Sequence, residues 1–409
     1  MQRRTTPFVI ALAVLTAPAP AAAAVPATAP ATAPAPATAA LKFDWNLRLR
    51  HETVDDAAFV RDAQADTLRL RAGVTAALGR GWSARLEGEG IANGGNDYNS
   101  GANGRSGYPV IADPAGAELN QAWLGWRSAR AAATIGRQRI ALDNQRFVGN
   151  VGWRQNEQTF DALSLEASPT ADIKLRYHAL SRVHRINGDD ARDPLARERD
   201  LASHLFNGAL KRGPQQWVGY SYLHEDRDVA SASTATYGLR WTGSHPVAAM
   251  NWGWTAEFAR QTDYADNPLQ FSHDYWLIEP ALQAGGISWK LGWEQLGGDG
   301  RHALQTPLAT LHIHNGWADK FLVTPAGGLE NVYLSASGKV GKATWTVAGH
   351  DYRADRGQRY GRELNLSLAA PLRPGWNGLL KLADYRSDGF ARDTRKLWLQ
   401  IEYAGAVPR

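Results

Sequence analysis

Four arginines with fixed positive charge lie close together in one stretch of the sequence, from Thr134 to Glu166. Arg137 and Arg139 are two residues apart in an alternating segment, and side chains two apart in a strand leave the same face. Arg146 and Arg154 follow in a loop rich in Gly and Asn. The spacing predicts a positively charged sheet face, which either meets water in a soluble antiparallel sheet or lines a pore.

The N-terminus carries export signals. Arg3 and Arg4 precede a short apolar run, and small residues ending at Ala22 to Ala24 supply a cleavage site, which is typical of a secretory signal peptide. The following Pro/Ala/Thr tract cannot form a packed core and predicts a periplasmic tether. We therefore expect a signal peptide over residues 1–24, a tether over 25–40, a folded domain over 41–403 and a tail over 404–409.

The composition favours a large sheet over a disulfide-stapled scaffold. The chain has 409 residues, a formal net charge of +5 and no cysteine, although export would place it in an oxidising compartment. Its mean hydropathy is negative, which excludes a helical membrane protein.

Short turns and long loops alternate along the folded part. Eight short turns alternate with nine longer loops that are rich in Gly, Asn and Asp. The short turns are predicted at Gly79–Gly81, Ser128–Ala131, Ser168–Ala171, Lys211–Pro214, Gly243–Val247, Ala284–Gly286, Ser337–Gly341 and Pro371–Asn377. About eighteen strands result, an even number within the range of bacterial outer-membrane barrels, which have short periplasmic turns and long external loops.

The strands also have the two faces that a membrane barrel requires. Leu364, Leu366 and Leu368 alternate with polar residues, and the other strands follow the same pattern. Tryptophans lie near the strand ends that face the short turns, where an aromatic girdle would form, namely Trp45, Trp82, Trp126, Trp241, Trp252, Trp289 and Trp345. The fold class predicted is all-β, a transmembrane antiparallel β-barrel.

If the apolar faces meet lipid, the charged faces line the lumen. The predicted inward cations are Arg48, Arg50, Arg69, Arg71, Arg85, Arg137, Arg139, Lys174, Arg176, Arg240, Lys290 and Lys381. The predicted acidic residues are fewer, namely Glu87, Glu89, Glu257, Glu294 and Glu363. A positive lumen concentrates anions and repels cations, which predicts an anion-selective channel. The alternative is that these charges pair with one another across the barrel wall and serve only to keep the lumen hydrated.

Two long motifs carry a family resemblance. GRQRIALDNQRFVGNVGWRQNEQTFDAL, from Gly136, and HNGWADKFLVTPAGGLENVYL, from His314, resemble the alginate export family of outer-membrane porins. The resemblance implies a monomeric eighteen-stranded barrel whose arginine-lined pore, with acidic partners, passes an anionic uronate polysaccharide. It implies pore roles for Arg137 and Arg139, and loop-packing or pore-mouth roles for Arg146, Trp153, Arg154, Phe160, Asp161, Trp317 and Asp319.

The sequence departs from the polymer exporter of that family at one connection. Pro371–Asn377 is too short for the long periplasmic plug known there, so we do not expect gating by such a plug. Small carboxylates or oligosaccharides are therefore substrates to consider beside alginate.

Two other classes of protein remain alternatives. An outer-membrane hydrolase would need a Ser, a His and an orienting polar residue, but no G-x-S-x-G occurs. A secreted carbohydrate-binding β-sandwich would use exposed tryptophans as sugar platforms. We expect no catalytic residues, no cofactor, no metal and no nucleic acid partner. The expected partners are outer-membrane lipid, lipopolysaccharide and an anionic saccharide or carboxylate.

Overall fold

One antiparallel sheet of 18 strands forms the protein and closes on itself through pairing of its first and last strands. The structure, a computed structural model, describes residues 40–408. The expected signal peptide and all but the last residue of the expected tether lie outside the described residues. Every strand pairs with its neighbours in the chain, so the architecture is an up-and-down barrel, as the hairpin pattern predicts.

The strands are 8 to 17 residues long. In chain order they are β1 (Ala40–Asp56), β2 (Ala63–Gly79), β3 (Trp82–Asn93), β4 (Gly116–Arg127), β5 (Ala131–Gln138), β6 (Thr159–Ala167), β7 (Ile173–His184), β8 (Glu198–Arg212), β9 (Gln215–His224), β10 (Thr234–Val247), β11 (Met250–Asp263), β12 (Ser272–Ala284), β13 (Ile287–Leu296), β14 (Leu329–Val340), β15 (Ala343–Arg353), β16 (Arg359–Arg373), β17 (Trp376–Ser387) and β18 (Thr394–Pro408). A four-residue helix, α1 (Pro194–Arg197), precedes β8. In the described part of the chain, no helix has the length and apolar character needed to cross a membrane.

Most predicted turns match the observed connections, and three boundaries differ. At the turn predicted over Ser337–Gly341, β14 continues to Val340 and the chain turns at Gly341 and Lys342. The segment Gly243–Val247 was predicted as a turn but forms the end of β10, and the chain turns between Val247 and Met250 instead. Gly and Pro are tolerated near the end of a strand, because few hydrogen bonds of the ladder follow there. The predicted tail is wrong over residues 404–408, because β18 continues to Pro408 and pairs with β1 there. The short β16–β17 connection is confirmed.

The outer face of the barrel is apolar. Leu239, Leu291 and Leu334 lie on this face, and each is more than half exposed. Tryptophans lie close to the short turns, and Trp217 and Trp241 stack there with ring centroids 4.9 Å apart. A contiguous apolar band with an aromatic edge is what a lipid-facing barrel surface requires.

The hydrophobic core lies inside the barrel, not between two layers. Two long connections fold into the lumen: the β5–β6 loop (residues 139–158) and the β13–β14 loop (residues 297–328). A bridge between Val148 and Leu308 joins them. Their apolar side chains pack against inward aromatic residues of the wall, such as Trp398. The loops therefore narrow the lumen and position the candidate site.

Candidate functional site

Four arginines form a ladder on the inner face of β1 and β2. Arg48 lies directly opposite Arg69 in the register, and Arg50 and Arg71 occupy the neighbouring inward positions. All four are at least 94% buried, with exposures of 6%, 1%, 1% and 6% for Arg48, Arg50, Arg69 and Arg71. The alternation of the strands explains why they share one face. Their burial has a different cause, because the β5–β6 loop covers them.

Backbone carbonyls of the β5–β6 loop are the main partners of this ladder. Arg48 Nη1 lies 3.2 Å from each of the carbonyl oxygens of Gly152, Trp153 and Arg154. Arg69 and Arg71 both donate to the carbonyl of Gln155, at 3.3 Å and 3.2 Å. An irregular loop has no ladder to satisfy its carbonyls, and a buried carbonyl without a donor is costly. The arginine ladder supplies the missing donors and holds the loop against one wall.

Glu157 fixes the loop through its side chain. It pairs with Arg71 at 3.3 Å and with Arg139, and accepts from Asn120 at 2.7 Å and Asn150 at 2.8 Å. Burial alone would raise the pKa of Glu157, but the charges of Arg71 and Arg139 and the bond from Asn120 outweigh it and lower the pKa to about 2. The carboxylate is therefore ionised in the folded protein at neutral pH.

Arg154, which precedes Glu157 in the same loop, is a buried cation surrounded by carboxylates. Its guanidinium pairs with Glu52 at 3.2 Å, Asp319 at 3.3 Å and Asp113 at 3.7 Å. Burial would lower the pKa of Arg154, yet the three carboxylates raise it above its usual value. Arg154 thus ties the β5–β6 loop to β1 and to the β13–β14 loop at once.

The other end of the β5–β6 loop contacts the opposite wall. Asp143 accepts from Asn207 of β8 at 2.8 Å, and Arg146 pairs with Glu294 of β13 at 2.9 Å. Phe147 packs on the rings of Tyr220 and Tyr275, with centroids 5.6 Å and 5.3 Å apart. The loop therefore reaches across the lumen and constricts it.

The β13–β14 loop is held by a buried chain of polar groups. Lys381 of β17 donates to His312 Nε2 at 2.6 Å, and His312 Nδ1 lies 2.7 Å from Asp319. Burial lowers the pKa of His312 to about 3, although Asp319 acts in the opposite direction. Trp153 stacks on His312 at 4.5 Å and so joins the two loops, whereas the Trp317 ring lies 3.9 Å from Lys381 and joins its own loop to β17.

Gly316 explains one feature of the HNGWAD motif. Its φ is +79°, and a Cβ at this position would lie 2.3 Å from the Tyr352 hydroxyl. Only glycine fits that backbone without strain. The turn that follows aims the N–H groups of Trp317 and Ala318 at the Glu363 carboxylate, with Ala318 at 2.8 Å.

Arg137 and Arg139 were expected to share one inward face, and this expectation is wrong. Strand β5 ends at Gln138, so Arg139 has left the strand and turns inward to Glu87 and Glu157. Arg137 follows Ile135 on the outer face, where Ile135 is 58% exposed. It pairs there with Asp161 at 3.1 Å, so Asp161 too belongs to the outer rim.

The remaining predicted residues lie on the inner face. Arg85 pairs with Asp44 at 2.7 Å, Arg240 pairs with Glu257, and Phe160 is fully buried in the core. Arg176 of β7 donates to Asn207 at 3.2 Å. No carboxylate of residues 40–408 lies within 4.0 Å of Arg176, which separates it from the paired arginines.

Trp123 of β4 is a lumen residue that the sequence reasoning missed. Its register partner on β3 is Arg85, so its ring projects inward, and Nε1 donates to Gln121 at 3.3 Å. The side chain is partly exposed. Trp123 is two residues from Gln121 and therefore shares its face of the strand, which is the sequence signal for an inward ring. The other tryptophans near the turns point outward, so a tryptophan at this place suggests the outer girdle instead.

A closed barrel with an apolar outer band, an aromatic girdle and a lumen narrowed by in-folded loops defines a porin-type transmembrane barrel of the bacterial outer membrane. The chain belongs to the alginate export family, whose family model, described as "Alginate export", matches residues 39–267. The family resemblance is thereby confirmed; the first motif, from Gly136, lies within the matched residues, and the second, from His314, lies beyond them. Among curated protein sequences, none matches this chain.

Solved structures share the fold at low identity. OccAB2 of Acinetobacter baumannii is 12% identical, with a TM-score of 0.73 over 90% of this chain and 98% of that chain. The outer membrane protein OpdK of Pseudomonas aeruginosa is 14% identical, with a TM-score of 0.71 over 90% and 99%. OpdK has also been solved with vanillate, with the same identity, score and coverage. These similarities show the fold.

Proposed function

We propose that this protein is a passive outer-membrane channel for anionic saccharides, such as alginate or oligouronates, or for similar carboxylates. No chemical step belongs to this function. The lumen attracts anions electrostatically, and the two in-folded loops set the width through which they pass. The family's name supports a uronate polymer as one substrate class.

Arg176 carries the proposal. Its side chain projects into the lumen beside the β5–β6 loop, because its strand partner Asn207 also binds Asp143 of that loop. The adjacent Glu166 is engaged by Lys174 at 2.8 Å. A guanidinium whose nearest acids are bound elsewhere is available to a passing carboxylate, which it can bind with two hydrogen bonds.

Two further lumen residues support an anionic ligand with a ring. Arg139 keeps 31% of its side chain exposed while it pairs with Glu87 and Glu157. Trp123 offers a partly exposed indole whose cross-strand neighbour is Arg85. An aromatic face packs against the apolar face of a sugar or aromatic ring, and a nearby cation neutralises its carboxylate.

The arginine ladder has a positioning role in this proposal. Arg48, Arg50, Arg69 and Arg71 are buried and bound to loop carbonyls or acids, so they do not meet the solute. They determine where the β5–β6 loop lies and hence the size of the opening.

Ion selectivity in planar bilayers tests the proposal. At low salt, where screening is weak, the wild type should be anion-selective, and oligouronates should block the current. Arg176→Gln should reduce both effects, whereas Arg137→Gln, which removes the same charge from the outer rim, should leave them unchanged. A wild-type channel that prefers cations, or equal block by uncharged oligosaccharides of the same length, would refute the proposal.

Two solutes separate the substrate classes. OpdK was solved with vanillate, an aromatic carboxylate, and that protein has this fold. Block by oligouronates at lower concentration than by vanillate would assign the channel to saccharides. Stronger block by vanillate would assign it to small carboxylates.

A further inference from the structure

The outer face of strands β15 to β17 changes from apolar to charged at one level. On β16 the exposed residues Leu368, Leu366 and Leu364 are followed by Arg362. On β17 Leu382 is followed by the outward residues Asp384 and Arg386. This level lies toward the long loops, at the external edge of the apolar band, where lipid headgroups meet the barrel.

Two arginines face each other there. Arg362 and Arg386 are direct register partners, with side-chain exposures of 66% and 49%. Like charges directly opposite in a sheet repel each other. Asp351 accepts from Arg362 at 3.1 Å but also contacts two other arginines. Arg386 is bound by Asp384 at 3.0 Å and by Asp393 at 3.2 Å, and Asp384 is shared with Arg395.

The guanidinium group of Arg362 retains free donors. Its Nε binds Asp351, and neither of its terminal nitrogens has a hydrogen-bond acceptor among residues 40–408. Arg395, 61% exposed, adds a third cation 3.6 Å from Asp384. This group of exposed guanidiniums can bind an anion that approaches from the membrane side.

A groove of about 490 Å³ leads up to this charged group. Its floor is the apolar outer face, including Leu291, Leu334 and Leu364, and its upper end is formed by Asp351, Arg362, Asp384 and Arg386. Gly349 lies between Leu334 and Leu364 in the register, and a Cβ built there meets no atom within 4 Å. The missing side chain therefore leaves the groove open.

We propose that this groove binds a phosphorylated, acylated lipid of the outer leaflet, the lipid A part of lipopolysaccharide. An acyl chain lies over Gly349, and a phosphate lies between Arg362 and Arg386, where it accepts hydrogen bonds from the free terminal nitrogens of Arg362. The site points away from the lumen, so a transported solute does not reach it. The apolar groove below the cations selects a lipid over a free anion.

Lipid retention by the full-length protein tests the site. The detergent-purified protein is titrated with bis-phosphorylated lipid A, with the same lipid after dephosphorylation, and with inorganic phosphate, while native mass spectrometry counts the bound lipid. The wild type should prefer the phosphorylated lipid by about tenfold, which corresponds to about 1.4 kcal/mol from charge-assisted hydrogen bonds to the phosphate. Equal binding of both lipids would overturn the proposal.

Two variants locate the binding. R362Q/R386Q removes the cations, and G349L fills the groove without changing any charge; each should lose most of the lipid A binding. Arg260→Gln is the control, because Arg260 is an exposed outer-rim arginine, paired with Asp274, on another part of the barrel. Normal lipid A binding by G349L would overturn the groove, and inorganic phosphate that competes fully would show a simple anion site instead.

Discussion

Arg50 holds Trp153 in two ways: its Nη2 donates to the Trp153 carbonyl at 2.6 Å, and its guanidinium lies 4.3 Å from the centroid of the Trp153 ring. Arg50 Nη1 also lies 3.4 Å from Asp113, and the whole side chain is 1% exposed. A strand residue of the wall thus fixes both the backbone and the side chain of the loop that narrows the lumen.

Arg50→Gln should therefore release the β5–β6 loop. The substitution leaves the Asp113 charge and the Trp153 carbonyl buried with fewer partners, and breaking a buried ion pair costs about 3 to 5 kcal/mol. We expect a larger and noisier single-channel conductance and faster proteolysis within residues 139–158. Arg240→Gln breaks another buried pair, with Glu257, and should keep wild-type conductance. Equal conductance in both variants would mean that the ladder does not position the loop.

Glu157 should make the loop sensitive to acid. Its pKa falls from 4.5 to about 2 in the folded protein, so its stabilisation is present above pH 4.5 and is lost as the pH falls toward 2. Conductance should stay constant above that window and change within it. Glu157→Gln should show altered conductance already at neutral pH and should lack this part of the pH dependence. A variant that titrates like the wild type would assign the transition to another group.

His312 should act in a higher pH window. Its pKa is lowered from 6.5 to about 3, so the folded protein holds the imidazole neutral while the unfolded chain binds a proton. Stability from this group is complete above pH 6.5 and falls as the pH drops toward 3. Thermal unfolding of the wild type should show that decline, and His312→Gln should flatten it. An unchanged slope in the variant would contradict a buried neutral imidazole.

Lipid facing can be tested within one strand. Leu366→Arg places a charge on the outer face, where we expect a cost of about 2 to 4 kcal/mol near the bilayer middle. Ser367→Arg places the same charge on the lumen side, where the residue is partly exposed and water is present, and should cost much less. Asn365, the other neighbour of Leu366 in the strand, cannot serve as this control because its side chain is fully buried. Equal destabilisation, measured by folding into lipid vesicles, would mean that the strand parity is wrong.

Much of the architecture was predictable because it depends on local patterns. Alternation with a period of two assigns each strand its lipid and lumen faces, so Arg48, Arg50, Arg69 and Arg71 could be placed inward from sequence. Loop length separated the external from the periplasmic side. Ile135 lies two residues before Arg137, and its exposed apolar side chain indicates the outer face for both, whereas the spacing of Arg137 and Arg139 indicates a shared inward face.

The tertiary structure decided what the inward residues contact. The bonds from Arg48 to the β5–β6 loop join residues 104 to 106 positions apart, and those from Arg154 to Asp319 join residues 165 apart. Local pattern contains no information about such pairs, because they exist only once the barrel has closed and the loops have entered it. The sequence by itself therefore determined a barrel with a positive inner wall. Only the folded chain decided that much of that charge holds the loops, while Arg176 contacts Asn207 of the wall and Trp123 stays partly exposed.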